Sequence, residues 1–179
     1  MEDKIKELKK IIDESNNIVF FGGAGVSTES GIPDFRSANG LYNQDLGRTV
    51  SPEEMISHTF YRQHTEDFFD FYRDALIYAD VEPNDCYKAL AELEKQGKVK
   101  AIVTQNIDGL HQKAGSKVVW ELHGSTLRQQ YPNCHAFYGV DKIIESDGVP
   151  TCEKCGGIIN PDVVLYEEGL DSDIINGAV

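Results

Sequence analysis

Apolar positions along this chain follow two rhythms. Ile5, Leu8, Ile11 and Ile12 recur among charged residues over 3–14, the 3.6-residue period of an amphipathic helix lying on a sheet. Ile18-Val19-Phe20-Phe21 is instead a continuous apolar run, the mark of a buried parallel strand. Between Ser51 and Ala79 aromatic residues gather in helical sequence, among them Phe60, Tyr61, Phe68, Phe69, Phe71 and Tyr72. Ser51-Pro52-Glu53-Glu54 starts that stretch, with Ser51 as N-cap, Pro52 at the first position and Glu54 closing a capping box. The aromatics predict the core of a small helical layer over the sheet. Another helix opens at Pro83-Asn84-Asp85 and stops at Gly97, with Ala89, Leu90 and Leu93 on one face and Cys86 as a buried structural thiol. Lys100-Ala101-Ile102-Val103-Thr104 and Val118-Val119-Trp120 read as two more parallel strands. Strand and helix alternate, which predicts an α/β fold built on a doubly wound parallel sheet. Residues 125–160 break the rhythm with polar, Gly- and Cys-containing sequence and read as an inserted module.

A chain of 179 residues can bury a core as one domain. Its 40% hydrophobic and 26% charged residues are ordinary for a soluble protein. No stretch is long enough to span a bilayer, and the N-terminus lacks the apolar core of a signal peptide. The expectation is a cytoplasmic protein without a membrane partner. Thirty acids against 17 bases give a net charge of −13, which excludes nucleic acid as a partner, because phosphate binding needs clustered Lys and Arg. Cys86, Cys134, Cys152 and Cys155 then read as thiols or metal ligands rather than disulfides.

The chemistry lies where the strands end. After the first strand, Gly23-Ala24-Gly25-Val26-Ser27-Thr28-Glu29-Ser30-Gly31-Ile32-Pro33-Asp34-Phe35-Arg36 lets the backbone turn sharply against a ligand. Gly23, Gly25 and Thr28 form only a partial G-x-G-x-x-G. A dehydrogenase would also carry an acid at the end of a second strand about 20 residues on. Asp45 falls near that spacing, but Leu41-Tyr42-Asn43-Gln44 before it is no strand, so the dehydrogenase reading is poor. After the second strand comes Thr104-Gln105-Asn106-Ile107-Asp108-Gly109-Leu110-His111, and after the third Glu121-Leu122-His123-Gly124. Three polar clusters thus meet on one sheet edge, where open α/β sheets bind ligands. His111 reads as a structural residue of the following helix, and His58, His64 and His135 have no comparable context.

Gly23-Ala24-Gly25 through Arg36, Thr104 through Asp108, and Leu122-His123-Gly124 together resemble the sirtuin family of NAD-dependent protein deacylases, from about residue 15 to the end. The resemblance implies a transferase that moves the acetyl group of a protein lysine to ADP-ribose and releases nicotinamide. Ala24 and Thr28 would line the pyrophosphate and ribose side of NAD, Phe35 would shield the nicotinamide ribose from water, and Arg36 would order the loop and contact the cofactor. Gln105 and Asn106 would face that ribose, with Asn106 in the catalytic set, while Ile107 and Asp108 would hold the carboxamide. His123 would be the general base, a task that suits an imidazole because its ordinary pKa of about 6.5 lies near working pH. Asn160-Pro161-Asp162-Val163-Val164-Leu165-Tyr166 resembles the family's substrate segment, with Val163 packed on the acyl-lysine stem and a backbone edge open to the substrate.

The resemblance also implies a zinc-ribbon-like module of two Cys-x-x-Cys knuckles. Cys152-Glu153-Lys154-Cys155 is one; in the other Cys134 stands, but its partner position is Tyr131. Cys134, Cys152 and Cys155 are therefore one ligand short of the four a structural zinc takes. A module held by packing without metal is the rival reading. Desuccinylase-type relatives carry an arginine three residues after a tyrosine in the helical layer; here Ala75 follows Tyr72, which favours acetyl or another uncharged acyl group. The chain stops at Val179 where the family continues through further strands, so the Rossmann-like sheet is expected to be incomplete at the C-terminus, with an apolar edge and a helix face uncovered. The domain reading is one truncated catalytic domain, 1–179: an NAD-binding part at 15–124 with the helical layer at 51–79, and the Cys module at 125–160. Two rivals remain, a mono-ADP-ribosyltransferase and a silent binder of NAD or acyl-peptide.

Overall fold

A computed structural model describes residues 2–45, 47–130 and 134–179. Helix α1 (Glu2–Glu14) forms as its period predicts, but it does not lie on a sheet. Ile5, Leu8 and Ile11 are 62%, 57% and 55% exposed, and the helix is fastened at its end instead, where Lys98 Nζ donates to the carbonyls of Ile12 and Asp13. Strand β1 (Ile18–Gly22) follows. Ile18 and Phe20 pack on Leu90, Val99 and Ile102, while Val19 and Phe21 are exposed. β1 is therefore buried on one face only: it is an edge strand, and its other face has no cover among the described residues.

Three short helices, α2 (Pro52–Met55), α3 (His58–Gln63) and α4 (Thr65–Ala75), make the helical layer. Ser51 caps α2 by accepting from the Glu54 amide at 3.3 Å. Phe68, Phe69, Phe71 and Tyr72 are buried, and Phe68 meets Phe69 edge to face and stacks on Tyr72, as the ring quadrupole favours. Their partners correct one expectation. These rings pack with Ala136, Ile143, Cys152, Ile159 and Leu165 rather than over the parallel sheet, so the main core joins the helical layer to the Cys-containing module.

Helix α5 (Asp85–Lys95) starts at an Asn84 cap whose Oδ1 accepts from the Cys86 amide at 2.9 Å. Its buried face carries Tyr87 and Leu90; Ala89 and Cys86 are exposed, contrary to the sequence reading. At about 100° per residue Ala89 points about 200° round from Tyr87, on nearly the opposite side, so the two cannot share a face. Strand β2 (Val99–Thr104), the short helix α6 (Leu110–Lys113) and strand β3 (Val119–Glu121) complete the parallel sheet, in the order β1-β2-β3. The register pairs Gly22 with Thr104 and Thr104 with Glu121, so the carboxyl ends of all three strands stand in one row.

The chain then enters a second, antiparallel sheet. β4 (Gly124–Gln130) lies between β5 (Phe137–Gly139) and β6 (Asn160–Val163), with α7 (Asp141–Ile144) after β5 and α8 (Ser172–Ala178) beside β3. Arg128 of β4 joins the two sheets, pairing with Glu121 at 2.6 Å and Asp162 at 2.9 Å. Among the described residues no helix is long and apolar enough to cross a membrane.

Candidate active site

A cavity of about 560 Å³ opens where the row of strand ends faces the helical layer and β6. Ala24, Phe35, Arg36, Gln105, Asn106, Ile107, Asp108, His123 and Val163 all line it. Thr28 does not: it is exposed, and its hydroxyl donates to the Gly25 carbonyl at 2.9 Å, which turns it away from the cleft. Ser27 takes the inward position instead, buried, with its hydroxyl donating to Asp108 Oδ2 at 2.6 Å. The sequence held one signal for Ser27, a small polar residue inside the glycine loop.

After two short 3-10 turns, Ala24–Val26 and Thr28–Ser30, the loop is built around Asp34. Its Oδ1 accepts from the Ser37 amide at 3.0 Å, and hydrogen bonds from Ser37 hold its carboxyl below the usual range. The Asp34 and Phe35 carbonyls accept from the Leu41 and Tyr42 amides at 2.7 and 3.0 Å, folding the segment into a hairpin-like strap. A Cβ at Gly40 would sit 2.7 Å from the Phe35 carbonyl carbon, so only glycine lets the two arms close. Phe35 leans on the Tyr42 ring at 5.3 Å, and the Arg36 guanidinium stands 5.9 Å from the centre of the same ring. The Tyr42 hydroxyl meets that of Tyr166 at 2.8 Å, tying the strap to the segment after β6.

His123 sits in the joint between the two sheets. Its Nδ1 lies 3.0 Å from the Gln105 carbonyl oxygen, which can only accept. Nδ1 therefore carries the proton in the neutral ring, leaving Nε2 as the basic nitrogen. The His123 carbonyl accepts from the Val164 amide at 3.0 Å. Gly124 next to it adopts φ +75°, and any Cβ there would collide with the Asp162 carbonyl oxygen. β6 is an edge strand, so one side of Val163 is open to a peptide in extended form.

The wall toward α4 is apolar. Leu41, Ile56, Ala75 and Leu76 face the cavity, whereas Tyr72 is fully buried behind them. No charged side chain stands at Ala75 to meet an acidic acyl group.

Away from the cleft, Cys134 Sγ lies 3.5 Å from Cys152 Sγ and 3.4 Å from Cys155 Sγ. A tetrahedral zinc with Zn–S bonds of about 2.3 Å sets its sulfurs about 3.8 Å apart, so the three thiols fit three of its corners. The Tyr138 hydroxyl, 3.1 Å from Cys152 Sγ, pulls that thiol down to about 6, toward the thiolate a metal needs. Tyr131, at the position of the missing cysteine, lies outside the described residues, and His135 does not join the group. Cys134, Cys152 and Cys155 would hold zinc as a structural ion, with no step of chemistry through it.

Comparison with known proteins gives a consistent result. The Sir2 family model matches residues 23–179. The NAD-dependent protein deacetylase of Clostridium perfringens is 64% identical over 179 residues, covering 100% of this chain and 73% of that protein. The protein of the same name from Clostridium acetobutylicum is 60% identical, covering 99% of this chain and 73% of its own length. Among solved structures, a Sir2 enzyme described for its mechanism and regulation superposes with a TM-score of 0.83 at 39% identity, over 99% of this chain and 70% of that one. A Sir2 histidine-to-alanine variant with deacetylated p53 peptide and 3'-O-acetyl ADP-ribose gives 0.84 at 37% identity, over 97% and 70%.

Proposed function

This chain belongs to the Sir2 family, and from that membership we propose that it is an NAD-dependent protein-lysine deacetylase, moving the acetyl group to ADP-ribose with release of nicotinamide. The observation that carries the reading is the single cavity into which the glycine loop, the Gln105–Asp108 segment, His123 and Val163 all face. NAD, when bound, supplies the electrophilic ribose carbon and the nicotinamide leaving group. The protein supplies the rest. Phe35 and the strap keep water from that carbon, which strengthens every polar contact around it. Ile107 and Asp108 bind the carboxamide, and Gln105 and Asn106 face the ribose. Arg36 orders the strap through Tyr42. His123, with its Nδ1 proton held by Gln105, takes up a ribose hydroxyl proton at Nε2. Val163 packs on the acyl-lysine stem, and the apolar wall at Ala75 favours an uncharged acyl group.

The division that accompanies this reading assigns 15–124 to NAD, with the helical layer at 51–79, and 125–160 to the Cys module. The four free thiols support a reducing, cytoplasmic setting. The test is a mass spectrum of acetyl-peptide and NAD incubated with the protein. Nicotinamide and acetyl-ADP-ribose in equal amounts are expected. An ADP-ribosylated acceptor without acetyl-ADP-ribose would favour the transferase reading, and ligand binding without nicotinamide release a silent binder.

A further inference from the structure

Behind the cleft, polar groups from three segments close into one network around a residue that no motif marks. Tyr87, on the first turn of α5, is fully buried. Its hydroxyl lies 2.8 Å from Ser27 Oγ and 3.3 Å from Asp108 Oδ2. Asn106 Nδ2 lies 3.0 Å from both the Tyr87 hydroxyl and Ser27 Oγ. Counting protons fixes which way the Asn106 amide faces. Ser27 has one proton, committed to Asp108 at 2.6 Å, so its oxygen can only accept from its other neighbours. Tyr87 has one proton for two acceptors, Ser27 Oγ and Asp108 Oδ2, and in either case both hydroxyl oxygens can accept from the Asn106 amide. Nδ2 therefore faces this pair of hydroxyls, which leaves Oδ1 for the cavity that Asn106 lines. Turned the other way, the amide oxygen would face the Ser27 oxygen with no proton between them. Burial raises the Tyr87 hydroxyl to about 12, so it stays a neutral donor.

We propose that Tyr87 is a positioning residue: through Ser27 and Asn106 its hydroxyl aims the Asn106 carbonyl oxygen into the cleft, as the acceptor for a hydroxyl of the nicotinamide ribose, and braces Asp108 beside it. The inference deepens the deacetylase reading and rests on it for the identity of the ligand.

Tyr87→Phe keeps the ring and removes only the hydroxyl. Two readouts apply to it. In nitrogen-15 NMR the Asn106 side-chain amide protons are protected from exchange in the parent, and at least one exchanges about tenfold faster in the variant once its buried acceptor is gone. In steady-state kinetics kcat falls about tenfold while KM for acetyl-peptide stays within about twofold, because the lost contact orients the reacting end and not the peptide. Adding Ser27→Ala to Tyr87→Phe lowers kcat less than the product of the two single effects, since both remove parts of one network. A folded Tyr87→Phe protein with parental amide protection and parental kcat overturns the proposal. If Tyr87→Phe does not fold, Ser27→Ala alone carries both readouts, and parental values there overturn it equally. If the parent protein releases no nicotinamide, the deacetylase reading fails by itself, and amide protection still decides whether Tyr87 sets the Asn106 carbonyl.

Discussion

A carbonyl sets the tautomer of His123. Because Gln105 takes the Nδ1 proton, the basic nitrogen is Nε2, and His123→Ala is expected to lower acetyl-ADP-ribose formation by about 10²–10⁴-fold with NAD affinity little changed, measured by mass spectrometry and calorimetry. His111 is a different kind of histidine. Burial against Tyr87 and Phe20, with neither ring nitrogen hydrogen-bonded, lowers its pKa from 6.5 to about 4 against a smaller opposing pull from Asp108. The fold holds the neutral ring, so the unfolded chain binds the proton first. Above pH 6.5 its ionisation takes nothing from stability; stability then falls as pH drops through the 6.5 to 4 window, by up to about 3 kcal/mol. His111→Phe should flatten that part of the acid slope in urea unfolding at pH 7.5 and 5, whatever its own stability. The contrast in setting was legible in the sequence, with His123 just past a strand end, where it now lines the cleft, and His111 inside a helix, where it is buried. Tyr87 was not, because a tyrosine on an apolar helix face looks like core until its hydroxyl is seen to have partners.

The strap from Asp34 to Asn43 and the segment after β6 are far apart in sequence and meet through two phenols. Tyr166→Phe removes that link while keeping the ring. The expected result is faster hydrogen exchange over 34–43 and a KM for NAD or acetyl-peptide raised about threefold to tenfold, as for the loss of one partly exposed hydrogen bond, with kcat less affected. Unchanged exchange in the strap would show that Phe35, Arg36 and Gly40 suffice to hold it. Strand ends and helix caps were readable, since Gly22, Thr104 and Glu121 close apolar runs and Ser51 and Asn84 are strong caps. Helix faces were read less well. Period alone placed Ala89 and Cys86 inward, but the hydrogen bond from Asn84 Nδ2 to the Val26 carbonyl, at 2.7 Å, sets how α5 is rotated, and that contact is tertiary.

Two cores hold the molecule, a small one on the parallel sheet and a larger one between the helical layer and the Cys module. Their partnership was invisible in the sequence, because Phe68–Tyr72 and Ile143–Ile159 meet only after the chain has crossed the sheet. Cys152 belongs to the larger core and to the thiol cluster at once. Removing bound zinc with a chelator should therefore lower the melting temperature of the whole chain, by several degrees if one to two kcal/mol are lost. Cys155→Ser, on the exposed side, should reduce zinc content measured by mass spectrometry and remove the chelator's effect. Among the described residues the apolar stripe of α1 and the outer face of β1 are exposed.

The joint at His123 has a mechanical consequence. β3 ends at Glu121 and β4 begins at Gly124, so the chain passes from one sheet to the other with Leu122 and His123 as its pivot pin. His123 is held from both sides, its imidazole by the Gln105 carbonyl of the parallel half and its own carbonyl by the Val164 amide of the antiparallel half. The direction of Nε2 is thus set by how the two sheets meet, and Arg128, clamped between Glu121 and Asp162, is a stay across that same joint.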